Sequence, residues 1–151
     1  MADTYELELE AIELRRVGNF TGAAQLFAAA ATSSEEAQRR LNLQIRQACC
    51  LLSVDRSAEA AELASHVAYE ARLNGYLVEL ADAVGVVVDH YIRSGRLAEA
   101  SHLMSEALDV MEQLPVDASS YQVIHNLAAT YEHSGFYEPA IALFERALEV
   151  A

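Results

Sequence analysis

Any chemistry in this chain has to come from five histidines, two cysteines and an excess of carboxylates. His125 and His133 are eight residues apart. On a helix they fall near one face but about 12 Å apart along the axis, too far to share a metal ion without further ligands. His90 follows Asp89, and adjacent side chains on a helix diverge. Asp82 and Asp89 are seven apart, on one helical face and about 10 Å apart by rise. Paired carboxylates do acid and base work when close and shielded, so this pair reads instead as part of a polar groove wall. Cys49 and Cys50 are adjacent, and a disulfide between them would need gross distortion of a helix. They read as small buried hydrophobes in a reducing compartment. The chain contains no glycine-rich phosphate loop, GxSxG, HExxH or CxxC, and so lacks the common patterns that hold phosphates, nucleophiles and metals. The expectation is a protein that is not an enzyme, with no catalytic residue, no metal and no cofactor.

The totals narrow the partners. There are 23 acidic residues against 10 arginines and no lysine, for a formal charge of −13. The segment to Gly75 carries −4 and the remainder −9, so the C-terminal half repels nucleic acid and anionic membrane. No apolar run approaches the length of a membrane span, and the opening MADTYELELEAIELRR has acids where a secretion signal needs a basic start. A soluble, cytoplasmic protein is expected. At 151 residues the chain has one domain's length, enough to bury roughly two thirds of its unfolded surface.

The elements that must position these side chains repeat. VGNFTGAAQLFAAAA (17–31), VDRSAEAAELASHVA (54–68), SGRLAEASHLMSEAL (94–108) and SGFYEPAIALFERAL (134–148) align on Gly18, Asp55, Gly95 and Gly135. Five residues on stands Ala23, Ala60, Ala100 or Ala140. Four later comes Phe27, Ala64, Met104 or Phe144, then after three more Ala30, Val67, Ala107 or Ala147. That spacing is one face of a helix, with small residues where a neighbour comes close. Upstream, Leu14, Leu51, Tyr91 and Tyr131 stand four before the turn, and Ala11, Ala48, Val88 and Ala128 seven before it. The unit is helix, tight turn, helix. Glycine ends the first helix in the left-handed conformation, with Asp55 a weaker substitute. Pro139 falls in a first helical turn, where no internal hydrogen bond is lost. Ser33 with Glu36 can form a capping box opening the second unit. Gly75 and Pro115 lie at equivalent distances past Asp55 and Gly95. Helices are expected at about 3–17, 20–31, 34–53, 57–73, 77–93, 97–113, 118–133 and 137–151, with no strand.

This arrangement resembles the tetratricopeptide repeat family over essentially the whole chain: alanine then Phe or similar four later, preceded by an aromatic and a small residue before a turn glycine. The likeness is strongest in the third and fourth units. Leu7, Gln44, Val84 and Ile124 stand in place of the family's early tryptophan, and the period near 40 exceeds the usual 34. It is similar to the lengthened repeats of kinesin light chains and of bacterial regulatory proteins. The resemblance implies an all-α fold, an α-solenoid of four antiparallel helix pairs forming one domain over 1–151, with repeats at about 3–33, 34–74, 75–115 and 116–151.

It also implies a site. In this family the first helices of successive repeats line a concave groove that holds a peptide or helix. Transferred by distance from each turn, the groove residues are Glu8, Ile12 and Arg15, then Asn42, Ile45 and Cys49. Asp82, Gly85, Asp89 and Arg93 follow, then Gln122, His125, Asn126 and His133. Family members that grip a C-terminal carboxylate use lysines and asparagines, whereas here Asn42, Arg46, Arg93 and Asn126 stand in a different pattern. A basic or mixed-charge amphipathic segment suits this groove better. The last helix carries Ile141, Phe144 and Leu148 as an apolar face, a candidate surface for a homodimer. Two functions are open. One is an adaptor binding a protein or peptide partner; the other is an N-terminal regulatory or dimerisation module of a larger bacterial signalling protein, such as a transcription regulator or cyclic-nucleotide synthase.

Overall fold

The computed structural model describes residues 3–113, 124–125, 128–129, 131–132 and 135–150. Seven helices follow in order: α1 (Thr4–Arg16), α2 (Phe20–Ser33), α3 (Ala37–Ser53), α4 (Ser57–Asn74), α5 (Leu77–Arg93), α6 (Leu97–Gln113) and α7 (Tyr137–Val150). Residues 124–125, 128–129 and 131–132 are also helical. The described residues contain no strand. Each helix from α1 to α6 packs against its sequence neighbours, and α3 also packs against α5. The result is an all-α solenoid in which first helices lie beside first helices.

The turn chemistry repeats with the sequence. Gly18, Gly95, Gly135 and the lone non-glycine Asp55 all have positive φ, Asp55 at 61°. At each, the amide after the turn residue reaches back to the carbonyl four before it: Asn19 to Leu14 at 2.8 Å, Arg56 to Leu51 at 3.0 Å, Arg96 to Tyr91 at 2.8 Å and Phe136 to Tyr131 at 2.9 Å. These bonds satisfy carbonyls that the helix end would leave bare. Asp55 therefore adopts the glycine geometry at some conformational cost.

The core follows the repeat positions. Ala11, Ala48, Val88 and Ala128 are fully buried, as are Ala23, Ala60, Ala100 and Ala140. Phe27, Ala64 and Met104 are buried too, whereas Phe144 is half-buried. Small residues at these positions let paired helices approach closely.

Helix starts differ from expectation. The Ser33–Glu36 capping box does not form: α2 runs on through Ser33, whose hydroxyl donates to the Ala30 carbonyl. Helix α3 begins at Ala37 without a side-chain cap. A serine in a last helical turn finds a carbonyl one turn back and so cannot cap the next helix. Among the described residues, side-chain caps form at Asp3, accepting from the Glu6 amide at 2.8 Å, and at Asn19, accepting from the Gly22 amide at 2.9 Å. The Pro115 boundary and the start of the helix expected at 118 lie outside the described residues.

Candidate functional site

The first helices α1, α3 and α5 are tied side to side by polar contacts. Arg39 of α3 pairs with Glu8 of α1 at 2.8 Å, and Arg46 reaches the other Glu8 oxygen at 3.5 Å while donating to Asn42 at 3.1 Å. Between α3 and α5, Gln38 donates to both oxygens of Glu79 at 3.2 and 3.4 Å. Arg93 of α5 pairs with Asp89 and also donates to the Leu52 carbonyl of α3 at 3.2 Å, with Asp55 at 3.9 Å. Of the sequence-derived residues of the first three units, Glu8, Asn42, Arg46, Asp89 and Arg93 take part in this row of polar contacts.

The row has a distinct electrostatic centre. Glu79 is a buried charged residue, 6 % exposed, and its hydrogen-bond partner is a neutral amide rather than a cation. Its place in the first turn of α5 sets it against the positive end of the helix dipole, which offsets part of the desolvation. Asp82, one turn on, is pushed up to about 7. Burial is the main cause and the Glu79 charge adds to it, while Arg46 opposes them. Cys49 of α3 touches solvent, yet protein surrounds much of its sulfur. Burial, then the Asp82 charge and Cys50, push its thiol up to about 11, with Arg15 pulling the other way. Cys49 is thus exposed but poorly nucleophilic at neutral pH. Cys50 is buried and its thiol is raised as well.

Two groove expectations change. Ile45 is 5 % exposed and belongs to the core. It occupies the same repeat position as Glu8, ten residues before the turn, and Glu8 is likewise engaged with the following first helix. That position faces the neighbouring repeat, so it positions the row without offering Ile45 to a ligand. His125 is exposed and meets the Phe144 ring of α7 edge-on, with centroids 5.7 Å apart, so it bridges its own repeat. Ile12 is partly buried against the core, Arg15 is exposed with its guanidinium 5.7 Å over Phe27, and Gly85 is half-exposed. Gln122, Asn126 and His133 lie outside the described residues.

Spacing from the turns did not point to Gln38, Arg39 or Glu79. Gln38 and Arg39 stand in the first turn of α3, further from the turn than the transferred stripe reaches. Clefts of about 350 and 300 Å³ occupy equivalent places in the third and second helix pairs. Tyr91, Ala98, Glu99, His102 and Leu103 line the first. Gln47, Leu51, Glu59, Glu62, Leu63 and His66 line the second. Neither contains a groove residue from the row. Among the described residues, no three His, Cys, Asp or Glu side chains converge closely enough to hold a metal ion. No described helix is long and apolar enough to cross a membrane.

Comparison with known proteins agrees with this architecture. Residues 81–151 match the family described as Tetratricopeptide repeat. The solved structure of BtubC (BKLC) from P. vanneervenii superposes with a TM-score of 0.68 at 19 % identity, over 97 % of this chain and 61 % of that one. The chain therefore spans about three fifths of that protein's length. Two structures of a Podosopora anserina protein of kinesin light chain type, with nearly identical TPR-like repeats, align at 17 % and 16 % identity. They cover 99 % and 95 % of this chain and 97 % and 92 % of theirs, each with a TM-score of 0.37. No curated protein sequence matches. The likeness to the tetratricopeptide repeat family thus holds, and with it the helical-solenoid fold; repeats of this type generally serve as protein-interaction scaffolds.

Proposed function

We propose that this tetratricopeptide-repeat solenoid is a cytoplasmic scaffold that holds a peptide or helix of a partner protein along the α1–α3–α5 row. The observation that carries the reading is the row itself. Glu8 of α1 pairs with Arg39 and Arg46 of α3, Arg93 of α5 donates to the Leu52 carbonyl of α3, and Cys49 of α3 is within electrostatic reach of Asp82 and Asp89 of α5, so three helices of different repeats share one set of polar residues. A face built only to be solvated needs no such cross-links, since exposed ion pairs add little stability. Their use here is to hold donors and acceptors in fixed places for a partner to meet. With no catalytic set on the row, the chemistry it supports is recognition.

The test is capture from source extract by the wild-type chain and by an Asp89→Lys, Arg93→Glu double variant. The swap keeps an i,i+4 pair within α5 but gives up the Arg93 bond to the Leu52 carbonyl, so circular dichroism melts of the variant are taken alongside to show that the fold is retained, while the charge order shown to a partner is reversed. Specific capture by the wild type and its loss in the double variant is the expected result. Equal capture by both proteins contradicts the row as the binding surface.

A further inference from the structure

The junction of α3 and α5 holds two carboxylates that no cation pairs with. Glu79 is 6 % exposed, and a single Gln38 amide nitrogen serves both of its oxygens, at 3.2 and 3.4 Å. Bonds that long from one neutral donor leave most of the carboxylate's accepting capacity unused. Asp82 follows one turn later on the same helical face and is half-buried. Among the described residues it makes no hydrogen bond and no ion pair. Burial and then the Glu79 charge raise it to about 7, as expected of a carboxyl crowded by another and left without a paired cation.

The sequence offers little to correct this. It contains ten arginines and no lysine. Among the described residues, eight of those arginines pair with carboxylates other than Glu79 and Asp82. Arg46 is the cation whose field reaches Asp82, but it donates to Asn42 at 3.1 Å and pairs with Glu8 at 3.5 Å. Of the other two, Arg15 lies over the Phe27 ring and Arg146 stands in α7. Residues 114–135 carry neither arginine nor lysine. Buried carboxylates are ordinarily paired or protonated, so the arrangement favours a cation supplied by a bound molecule. Asp82 is also within reach from outside, because the exposed Cys49 of α3 lies close enough to feel its charge. A long lysine or arginine stem carries a charge into such a half-buried place, and arginine's planar fork matches a carboxylate. We infer that the row recognises its partner through a lysine or arginine side chain set against Asp82, with the more deeply buried Glu79 one turn away. The inference rests on the row being the binding surface.

The probes are peptides selected on the 151-residue chain from a random dodecapeptide phage library, then synthesised with a fluorescent tag. The selected sequences are expected to share one basic position. Each parent peptide has a twin with a neutral replacement there, citrulline for arginine or acetyl-lysine for lysine. In anisotropy titrations at pH 8 the twin is expected to bind the wild type about tenfold more weakly. On Asp82→Asn that gap should shrink to about twofold, because the charge that separates the twins has lost its counterpart. Asp82→Asn removes a crowded charge and keeps the side chain's shape, so its thermal melt should be no lower than the wild type's. If the peptides lose binding to the Asp89→Lys, Arg93→Glu chain but show no gap between twins, or the same gap on Asp82→Asn, the inference is overturned and the row remains the binding surface. If no peptide is selected, or none depends on the row, both are overturned.

Discussion

Helices α1 and α5 both contribute to the proposed row but live in different surroundings. Helix α1 buries one residue, Ala11, whereas α5 buries a nearly unbroken run from Glu79 to Val88. The difference comes from stacking: α5 packs against α3, α4 and α6, while α1 packs chiefly against α2. In a solenoid each unit contacts its neighbours alone, so a helix packed against one neighbour is less covered than one packed against three. The proposed binding face is thus anchored firmly at α5 and lightly at α1.

The same substitution should read this contrast out. Leu80→Ala in α5, at a side chain 4 % exposed, is expected to cost about 2–5 kcal/mol through lost burial and a cavity. The melting temperature should fall by about 10 °C. Leu9→Ala in α1, at a side chain 50 % exposed, should stay within about 0.5 kcal/mol. Equal losses at the two sites break the contrast.

Next in size is Asp82. A carboxyl raised to about 7 in the folded chain holds its proton there at a pH where the unfolded chain, near 3.9, has released it. Folding stability should therefore fall as pH rises from about 4 to about 7, then level off. Asp82→Asn removes that slope and is expected to stabilise the protein by on the order of 2 kcal/mol at pH 8. Denaturant melts across this pH range check the sign. A wild-type stability that rises through the window contradicts a buried, charge-crowded Asp82.

The smallest effect is at the turns that join the paired helices. Asp55 holds a φ of 61° where the other copies have glycine. Asp55→Gly should stabilise by about 0.5–1 kcal/mol and Gly95→Asp should destabilise by a similar amount. Calorimetry of the two variants compares identical geometry in two sequence contexts.

Much of this was legible in the chain. The alanines five after each turn and the small residues seven before it are buried where the spacing put them. All four turn residues take the left-handed conformation that their types suggested. Spacing within a unit fixes which faces of two paired helices meet. The rotation of one pair against the next is another matter, because it depends on how side chains of different repeats fit. That is why Ile45, read as groove, lies in the core, and why Gln38, Arg39 and Glu79 emerge only from contacts between repeats. The Ser33 cap failed for a local reason, since a hydroxyl in a last turn has a nearer carbonyl to bond.

Cys49 offers the most direct measurement of the central claim. It is the exposed cysteine, it lies near Asp82 and Asp89 on the row, and Cys50 beside it is buried. In the free chain its alkylation at pH 8 should be slow for an exposed cysteine, because a thiol raised to about 11 has little thiolate to react. In the purified complex with a captured partner, the rate should fall by about tenfold more if the partner lies along the row, as steric cover limits access. An unchanged rate in a complex that remains intact would place the partner elsewhere and contradict the account.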